Sequence, residues 1–347
     1  MQTLLRLILL PFSWIYGAIM ALRNHLFDIG YTKSFRFQVP VLNVGNLSVG
    51  GNGKTPMVEY LIRLLANDSK VAVLSRGYGR KSRGFIQIND QHAPSTVGDE
   101  PWQMFLKFGT ETTIAVGEER ALAIPRILQE APQTEVIILD DAFQHRTVNA
   151  HFNILVSDYN KPFYKDYILP AGRLREARKG ANRAQAIIMT KCPPLDEAQQ
   201  KHVIEAIRPY SSAPVWFSRI DYQAPLPVFH ETYWPANPKV ILVSGLANAS
   251  SLKQYVQSKF NLIHHFDFPD HHRYTASDWL QIATLAQKNE GAVVLTTEKD
   301  VTKLHEISSS SQVLCYSLAI QFQFLANGSE FDNLVLNTLK KLEESQV

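Results

Sequence analysis

Cysteine is scarce in this chain of 347 residues, and its scarcity excludes two classes of protein. The two cysteines, Cys192 and Cys315, lie far apart in the sequence and lack the spacing of metal ligands. Small extracellular domains held by several disulfides need more cysteines, and structural zinc sites place theirs in close pairs. The cysteine content therefore indicates a reducing compartment.

An excess of charge of one sign is also missing. The 35 Lys and Arg residues against 32 Asp and Glu give a formal net charge of +3. There is no internal repeat, low-complexity segment or long run of like charge, so the composition gives no indication of a nucleic-acid partner. The 45% of apolar residues is typical of a packed globular protein, and the length suffices for two domains.

One long apolar segment stands at the N-terminus. Residues 4–22, LLRLILLPFSWIYGAIMAL, are apolar except for Arg6 and Ser13. The segment fits a cleaved signal peptide, a single spanning helix that would carry Arg6 and Pro11, or a helix lying in the membrane interface. A buried core helix is a fourth interpretation.

Short runs rich in Val and Ile recur along the chain and are typical of parallel strands buried on both faces. They are VPVLNVGNL, VAVLSRG, TTIAVG, EVIILD, FNILVSD and AQAIIMTK. Helical patterns lie between them, for example over residues 56–66 and 118–130. This alternation predicts an α/β fold with a doubly wound, mostly parallel sheet of the P-loop NTPase type.

Four segments are expected along the chain. They are a membrane-associated helix at 1–30, a nucleotide-binding domain at 31–220, a linker at 221–238 and a smaller α/β domain at 239–347. Four prolines between 221 and 238 make a long regular helix there improbable.

The segment SVGGNGKTP, residues 48–56, resembles a phosphate-binding loop, G-x-x-x-x-G-K-[ST]. Ser48 stands where the pattern has glycine, which is tolerable if its φ is negative. The loop lies between a predicted strand and a predicted helix, as the motif requires. An ordinary glycine-rich turn is the alternative. The expected nucleotide-binding residues are Ser48, Val49, Gly50, Gly51, Asn52, Gly53, Lys54 and Thr55.

The residue types of the loop suit phosphate binding. Its glycines allow positive φ and can turn backbone N–H groups toward an anion. Lys54 can reach the β- and γ-phosphates, and the Thr55 hydroxyl can bind Mg²⁺. Partitioning ATPases with a similar loop carry lysine at the position of Val49, which weighs against that class. Because nucleotide is cytosolic, the loop favours a membrane-attached protein with a cytoplasmic body.

Acidic residues follow another predicted strand. Asp140 and Asp141 come directly after the apolar run EVIIL, and one of them is expected to hold Mg²⁺, directly or through water. The alternative is a strand that ends in a solvated pair of aspartates.

Two further motifs leave structural and functional interpretations open. Asp99 in VGDEP can cap a helix or act as a base toward an acceptor hydroxyl, and spacing alone favours the cap. Arg173, Arg175 and Glu176 in LPAGRLRE fit either a salt-bridged helix start or phosphate and metal contacts.

Together these motifs resemble those of the tetraacyldisaccharide 4'-kinases, the lipid A 4'-kinases of Gram-negative bacteria. The resemblance covers nearly the whole chain. The motifs that carry it occur in the family's order: NLSVGGNGKTP, LSRGYGR, VGDEP, ILDDAFQHR, LPAGRLRE, FPDHHRY and TTEKD.

The resemblance implies phosphorylation by ATP of the 4'-hydroxyl of a tetraacylated glucosamine disaccharide 1-phosphate, which gives lipid IVA. It implies Mg²⁺, a membrane lipid as substrate and the cytoplasmic face of the inner membrane, reached through the N-terminal helix. Neither nucleic acid nor an obligate protein partner is expected.

The resemblance also implies roles for individual residues. Asp99 pairs with His271 to activate the hydroxyl, which reverses the preference for a simple cap. Lys54, Arg173 and Arg175 offset phosphate charge. The metal-site residues are Thr55, Asp140, Asp141 and Glu176.

Two other functions share some of these features. A membrane-tethered nucleotide switch would use the same loop and aspartates without a lipid acceptor. A soluble small-molecule kinase is the other alternative, but it does not explain the apolar segment at residues 4–22.

Overall fold

The structure is a computed structural model that describes residues 2–228, 232–246, 248–270, 272–308 and 313–344. The chain forms two compact units. The larger unit comprises Met1–Ile220 and Phe322–Val347, and the smaller unit comprises Asp221–Gln321.

The helices are α1 (Gln2–Asp28), α2 (Lys54–Leu65), α3 (Pro94–Val97), α4 (Asp99–Phe108), α5 (Arg120–Glu130), α6 (Glu197–Ile207), α7 (Ser250–Lys259), α8 (Ala276–Lys288), α9 (Glu298–Ser308) and α10 (Gly328–Glu344). The strands are β1 (Val41–Gly45), β2 (Val71–Ser75), β3 (Ile86–Gln87), β4 (Thr113–Val116), β5 (Val136–Asp140), β6 (Phe152–Asp158), β7 (Ala186–Thr190), β8 (Val215–Tyr222), β9 (Leu226–Pro227), β10 (Lys239–Ser244), β11 (Asn261–Asp267), β12 (Ala292–Thr297), β13 (Cys315–Leu318) and β14 (Ile320–Phe324).

A nine-stranded sheet forms the centre of the larger unit, in the order β14-β8-β7-β6-β1-β5-β2-β4-β3. Six neighbouring strands run parallel, in the order β7-β6-β1-β5-β2-β4. They correspond to the six apolar runs predicted to be strands from the sequence. Strands β1, β2, β5 and β7 are buried along their whole length, as expected for strands covered on both faces. The predicted α/β fold is confirmed, and the carboxyl ends of β1, β5, β6 and β7 meet at one edge.

The sequence analysis did not predict the strands at the margins of this sheet. Strand β14, IQFQF, alternates apolar residues with glutamine, which is the pattern of a strand with one solvated face. Strand β8 begins with apolar residues and ends in the polar sequence SRIDY. Strand β3 is only two residues long and pairs antiparallel with β4.

The smaller unit has a second sheet, in the order β11-β10-β12-β13-β9. The first four strands are parallel, and the short β9 pairs antiparallel with β13. Residues of β10 pack on both faces of this sheet, with Ile241 and Val243 in one cluster and Val240 and Leu242 in the other.

The C-terminal helix α10 belongs to the larger unit, which differs from the expectation that the smaller domain runs to residue 347. Phe331, Val335 and Leu339 are buried in the main core of the nine-stranded sheet. The Phe331 ring packs edge-on against Trp216 of β8, with centroids 5.4 Å apart. Because Phe331, Val335 and Leu339 are spaced four residues apart, they form one apolar face of the helix, and the main core buries that face. The other expected domain boundaries stay a prediction.

Helix α1 leaves most of its apolar side chains exposed, so a buried core helix is the wrong interpretation. Within this helix, the segment Arg6–Asp28 has the length and composition to cross a membrane. Only 6% of its apolar 18-residue stretch is buried inside the protein. Its exposed apolar residues are Leu7, Ile8, Phe12, Trp14, Ile15, Ile19 and Leu22.

Polar side chains of α1 dock the helix on the larger unit. The Ser13 hydroxyl donates to the Ile168 carbonyl at 3.0 Å and accepts from the Ala171 N–H at 2.9 Å. The Tyr16 hydroxyl donates to the Arg175 carbonyl at 3.0 Å. One side of the helix is therefore fixed to the body of the protein while its apolar side chains remain uncovered.

Candidate active site

The phosphate loop connects β1 to α2 at the carboxyl edge of the sheet. Gly50 and Gly53 have φ of 104° and 86°, a conformation that glycine adopts without the steric cost of a side chain. Gly53 is the N-cap of α2, so the loop ends at the positive end of a helix dipole. This is an arrangement suited to an anion.

The first half of the loop is held by the segment around Leu174. The Val49 N–H donates to the Arg173 carbonyl at 2.8 Å, and the Arg175 N–H donates to the Leu47 carbonyl at 2.7 Å. Ser48 forms a β-bridge with Leu174 and is buried. The departure from glycine at Ser48 is tolerated because its φ is not positive.

The second half of the loop is held from the end of β7. The buried Thr190 hydroxyl donates to the Asn52 carbonyl at 2.8 Å, and the Asn52 side chain donates to the Ser48 carbonyl at 3.1 Å. Lys191 donates to the Gly51 carbonyl at 2.5 Å. Both halves are thus fixed by neighbouring chain segments.

Asp140 ends β5, the strand beside β1, where it pairs in register with Val44. Its side chain is buried, and within the described residues Oδ1 has no hydrogen-bond partner. Burial, with the charges of Glu100 and Asp141, raises the pKa of Asp140 to about 7, against the opposing effect of Lys54. A buried carboxylate oxygen without a donor fits a cation ligand.

Asp141 is held by cations from two directions. The guanidinium of Arg175 donates to both of its carboxylate oxygens at 3.0 Å, and Lys54 Nζ lies 3.6 Å from Oδ2. Burial would raise the pKa of Asp141, but Lys54 and Arg175 outweigh it and lower the pKa. The structure therefore brings Lys54, Asp140, Asp141 and Arg175 together.

Arg120, which the sequence motifs did not identify, holds the end of β5 through hydrogen bonds to backbone carbonyls. Its side chain is fully buried and donates to the Asp140 carbonyl at 3.2 Å and the Gly117 carbonyl at 2.5 Å. Burial lowers the pKa of Arg120 to about 10, with Asp140 opposing the shift. The first residue of a helix gives no sequence signal of such burial.

Two of the predicted residues have other partners. The Arg173 side chain donates to Asp166 Oδ2 at 2.9 Å and to the Lys161 carbonyl at 2.9 Å. The buried Glu176 accepts two hydrogen bonds from Arg183, at 2.8 and 2.9 Å.

Two more donors complete the environment of Glu176. It accepts from Asn24 of α1 at 2.8 Å and from Gln144 at 3.0 Å. Both of its carboxylate oxygens are thus occupied by protein donors, which leaves its metal contact a prediction.

The predicted cap at Asp99 is displaced by one residue. Gly98, with φ of 99°, is the N-cap of α4, and Asp99 is the first helical residue. The Asp99 side chain is half-buried. His271 lies outside the described residues, so its pairing with Asp99 stays a prediction.

Mg²⁺ fits the donors at this edge. Magnesium at nucleotide sites is bound through one or two carboxylates together with substrate phosphates and water. The unpaired Asp140 oxygen and the hydroxyl of Thr55, in the first turn of α2, supply such donors. Across the described ranges, no group of three or more His, Cys, Asp or Glu side chains is placed to hold a metal ion.

Comparison with known proteins gives a consistent result. A family described as tetraacyldisaccharide-1-P 4'-kinase matches residues 5–340. A tetraacyldisaccharide 4'-kinase of Flavobacterium johnsoniae is 40% identical over 344 residues, which cover 98% of this chain and 99% of the relative. One of Bacteroides thetaiotaomicron is 41% identical over 342 residues, with 92% and 89% covered.

A solved structure matches as well. LpxK from Aquifex aeolicus, in complex with ATP, has a TM-score of 0.78 and 31% identity. The match covers 96% of this chain and 99% of that one.

His145 lies in the turn after the aspartates and is kept neutral by its surroundings. Burial, with the charges of Arg120 and Arg76, lowers the pKa of His145 to about 4. A histidine with a depressed pKa stabilises the fold above its unfolded pKa near 6.5, and that contribution is lost as the pH falls toward 4.

We therefore expect the free energy of unfolding to fall less with decreasing pH in His145→Gln than in the wild type. Between pH 7.5 and pH 5 the wild type should lose about 2 kcal/mol more unfolding free energy than the variant. Urea unfolding at the two pH values measures this, with the exposed His202→Gln as control. Equal losses in wild type and His145→Gln would contradict the environment described for His145.

Proposed function

Since the chain belongs to the tetraacyldisaccharide-1-P 4'-kinase family, we propose how its site carries out that family's phosphate transfer. The chain is a kinase of lipid A biosynthesis, and its acceptor is the 4'-hydroxyl of a tetraacyldisaccharide 1-phosphate. ATP is the phosphate donor, as its presence in the related LpxK structure supports.

The triphosphate of ATP binds along the loop between β1 and α2. Backbone N–H groups of the loop and the N-terminus of α2 offset its negative charge. Lys54, 3.6 Å from Asp141, lies where it can move between the aspartate and a terminal phosphate. Phosphate transfer depends mainly on positioning and charge stabilisation, which these groups supply.

Asp140 and Thr55 would hold Mg²⁺ at this edge. When bound, the ion neutralises charge on the phosphates and fixes their orientation. Asp141 stays ionised between Lys54 and Arg175 and so keeps both cations in the site. Arg175 is the arginine that we assign to the transferred phosphate, and Arg173 supports the loop through its backbone carbonyl.

Asp99 is proposed as the group that orients the acceptor hydroxyl or accepts its proton. It begins α4 directly after the positive-φ Gly98. The charge of the next residue, Glu100, raises the pKa of Asp140, so the start of α4 lies within electrostatic range of the aspartates beside the phosphate loop. The partnership of Asp99 with His271 is carried over from the family resemblance.

The observation that carries this proposal is the convergence of Lys54, Asp140, Asp141 and Arg175 beside a phosphate loop. A nucleotide switch would use the same groups, but membership of a kinase family favours transfer to the lipid.

A substrate with four acyl chains stays in a lipid bilayer, so the enzyme must work at a membrane surface. Helix α1 presents exposed apolar side chains and is fixed to the body by Ser13 and Tyr16. We assign it to the cytoplasmic face of the inner membrane, where its apolar side enters the lipid.

Transfer of label from γ-labelled ATP to the disaccharide 1-phosphate in mixed micelles tests the site. Lys54→Ala should lower the rate by about 10²- to 10³-fold because it removes a cation at the transferred phosphate. Asp99→Asn should lower it by about 10²- to 10⁴-fold because the side chain can no longer accept a proton. The exposed Asp90→Ala is the matched control.

Full activity in either variant would contradict the assigned role. Labelled phosphate released by wild type without any labelled lipid would favour the nucleotide switch instead.

Membrane binding by α1 is tested with Trp14→Ser combined with Ile15→Ser. Because burial of a large apolar side chain contributes about 1.5–3 kcal/mol, the variant should bind anionic phospholipid vesicles at least about tenfold more weakly. Vesicle co-sedimentation measures the binding. Leu280→Ser, at an equally exposed apolar residue of the smaller unit, is the control. Unchanged binding of the double variant would show that α1 does not enter the membrane.

A further inference from the structure

Two polar side chains near the end of α1 contact the segments that form the phosphate site, although the proposed chemistry does not use them. Asn24 Nδ2 donates to Glu176 Oε2 at 2.8 Å. The Arg23 guanidinium donates to the backbone carbonyl of Gln144 at 2.9 Å. Arg146 donates to the Asn24 carbonyl at 2.8 Å, so the backbone of Asn24 is held as well.

Glu176 and Gln144 continue this connection to the aspartates. Gln144 Nε2 donates to Glu176 Oε1 at 3.0 Å, and Gln144 Oε1 accepts from Arg175 Nη1 at 3.3 Å. The same Nη1 donates to Asp141 Oδ1 at 3.0 Å. Asn24 is thus joined through Glu176 and Gln144 to the guanidinium that we assign to the transferred phosphate.

The amide of Gln144 can orient this guanidinium when a nucleotide is bound. A phosphate group competes with Asp141 for the donors of Arg175, whereas the neutral amide of Gln144 does not carry the charge that such competition requires. The amide faces one way because Nε2 donates to both Glu176 and the Asn46 carbonyl, the latter at 2.9 Å. Its oxygen is therefore directed at Arg175.

The orientation of Glu176 depends in turn on α1. Its buried carboxylate has Oε1 between Arg183 and Gln144, and Oε2 between Arg183 and Asn24. Without the Asn24 amide, Arg183 is the donor that remains at Oε2, and it then determines the plane of the carboxylate. Groups that act on substrate keep their geometry only where such supporting hydrogen bonds fix them.

We infer that Asn24 is a positioning residue for phosphate transfer, which fixes the Arg175 guanidinium through Glu176 and Gln144. The contact makes the placement of α1 on the larger unit a part of the phosphate site. This inference rests on the role of Arg175 toward the transferred phosphate, as proposed above.

Steady-state transfer of label from γ-labelled ATP to lipid in mixed micelles tests the inference. Asn24→Ala should lower kcat by about 10- to 100-fold, since displacing a catalytic group by about 1 Å has effects of that size. Asn24→Asp keeps the shape but lacks the donor, so it should be no more active than Asn24→Ala. The KM for lipid and the binding to anionic vesicles should change by less than about twofold.

Ser34→Ala is the matched control. The exposed Ser34 hydroxyl donates to the Arg146 carbonyl at 2.6 Å, so it joins the segment after α1 to the same turn without contacting Gln144 or Glu176. Its kcat should match the wild type. Equal losses of kcat in Ser34→Ala and Asn24→Ala would overturn the inference. Weaker vesicle binding of Asn24→Ala with an unchanged kcat would overturn it too, because Asn24 would then only dock the helix.

A double-mutant cycle tests whether the effect passes through Arg175. In an Arg175→Lys background, Asn24→Ala should lower kcat by less than about twofold, because the guanidinium that Asn24 positions is already lost. Additive losses of the two substitutions would overturn the inference.

Calorimetric titration of the full chain in detergent micelles gives a measure that needs no lipid transfer. The probes are β,γ-imido-ATP and ADP, each with Mg²⁺. Asn24→Ala should weaken binding of the imido analogue by about tenfold, the effect of losing one hydrogen bond to a charged group, and change ADP binding by less than about twofold.

The calorimetry separates the inference from the proposed function. If wild type binds the imido analogue but labels no lipid, the lipid kinase fails, and the comparison of the two nucleotides decides the inference by itself. Equal weakening of both nucleotides in Asn24→Ala, or no weakening of either, would overturn the inference.

Discussion

Two adjacent carboxylates at the end of a buried strand are the constraint on which the candidate site of the larger unit depends. Asp140 is buried, and Asp141 beside it has φ of 50°. Two such charges are stable together only where cations offset them, and Lys54, Arg120 and Arg175 do so from three chain segments. The loop, the turn after β5 and the segment around Leu174 are therefore held at one point.

The same charge compensation connects helix α1 to the phosphate loop through Arg175. Arg175 binds Asp141 with its side chain, the loop with its backbone N–H and the Tyr16 hydroxyl of α1 with its carbonyl. Glu176, the next residue, accepts from Asn24 of the same helix. Helix α1 thus contacts the segment that holds the aspartates.

Much of this could be predicted from the sequence because it depends on local patterns. The six buried parallel strands are nearly continuous apolar runs, and the loop residues match a motif that is contiguous in the chain. The aspartates were recognisable because they directly follow one of those strands.

Other features depend on contacts between distant segments and leave no local signal. The burial of Arg120, the four donors to Glu176 and the bonds from Thr190 and Lys191 to the loop are of this kind. The placement of α10 is similar, since it depends on contacts with distant residues such as that of Phe331 with Trp216. His271, outside the described residues, remains a prediction from family resemblance.

Thermal unfolding with ADP, with and without Mg²⁺, tests most directly the claim that the edge beside Asp140 is the phosphate and cation site. A ligand that binds only the folded state at 100 times its Kd stabilises it by about 2.7 kcal/mol. In wild type, Mg²⁺ should add to the stabilisation by ADP, and in Asp140→Asn the increment from Mg²⁺ should vanish while ADP alone still stabilises. An undiminished increment from Mg²⁺ in Asp140→Asn would contradict the account.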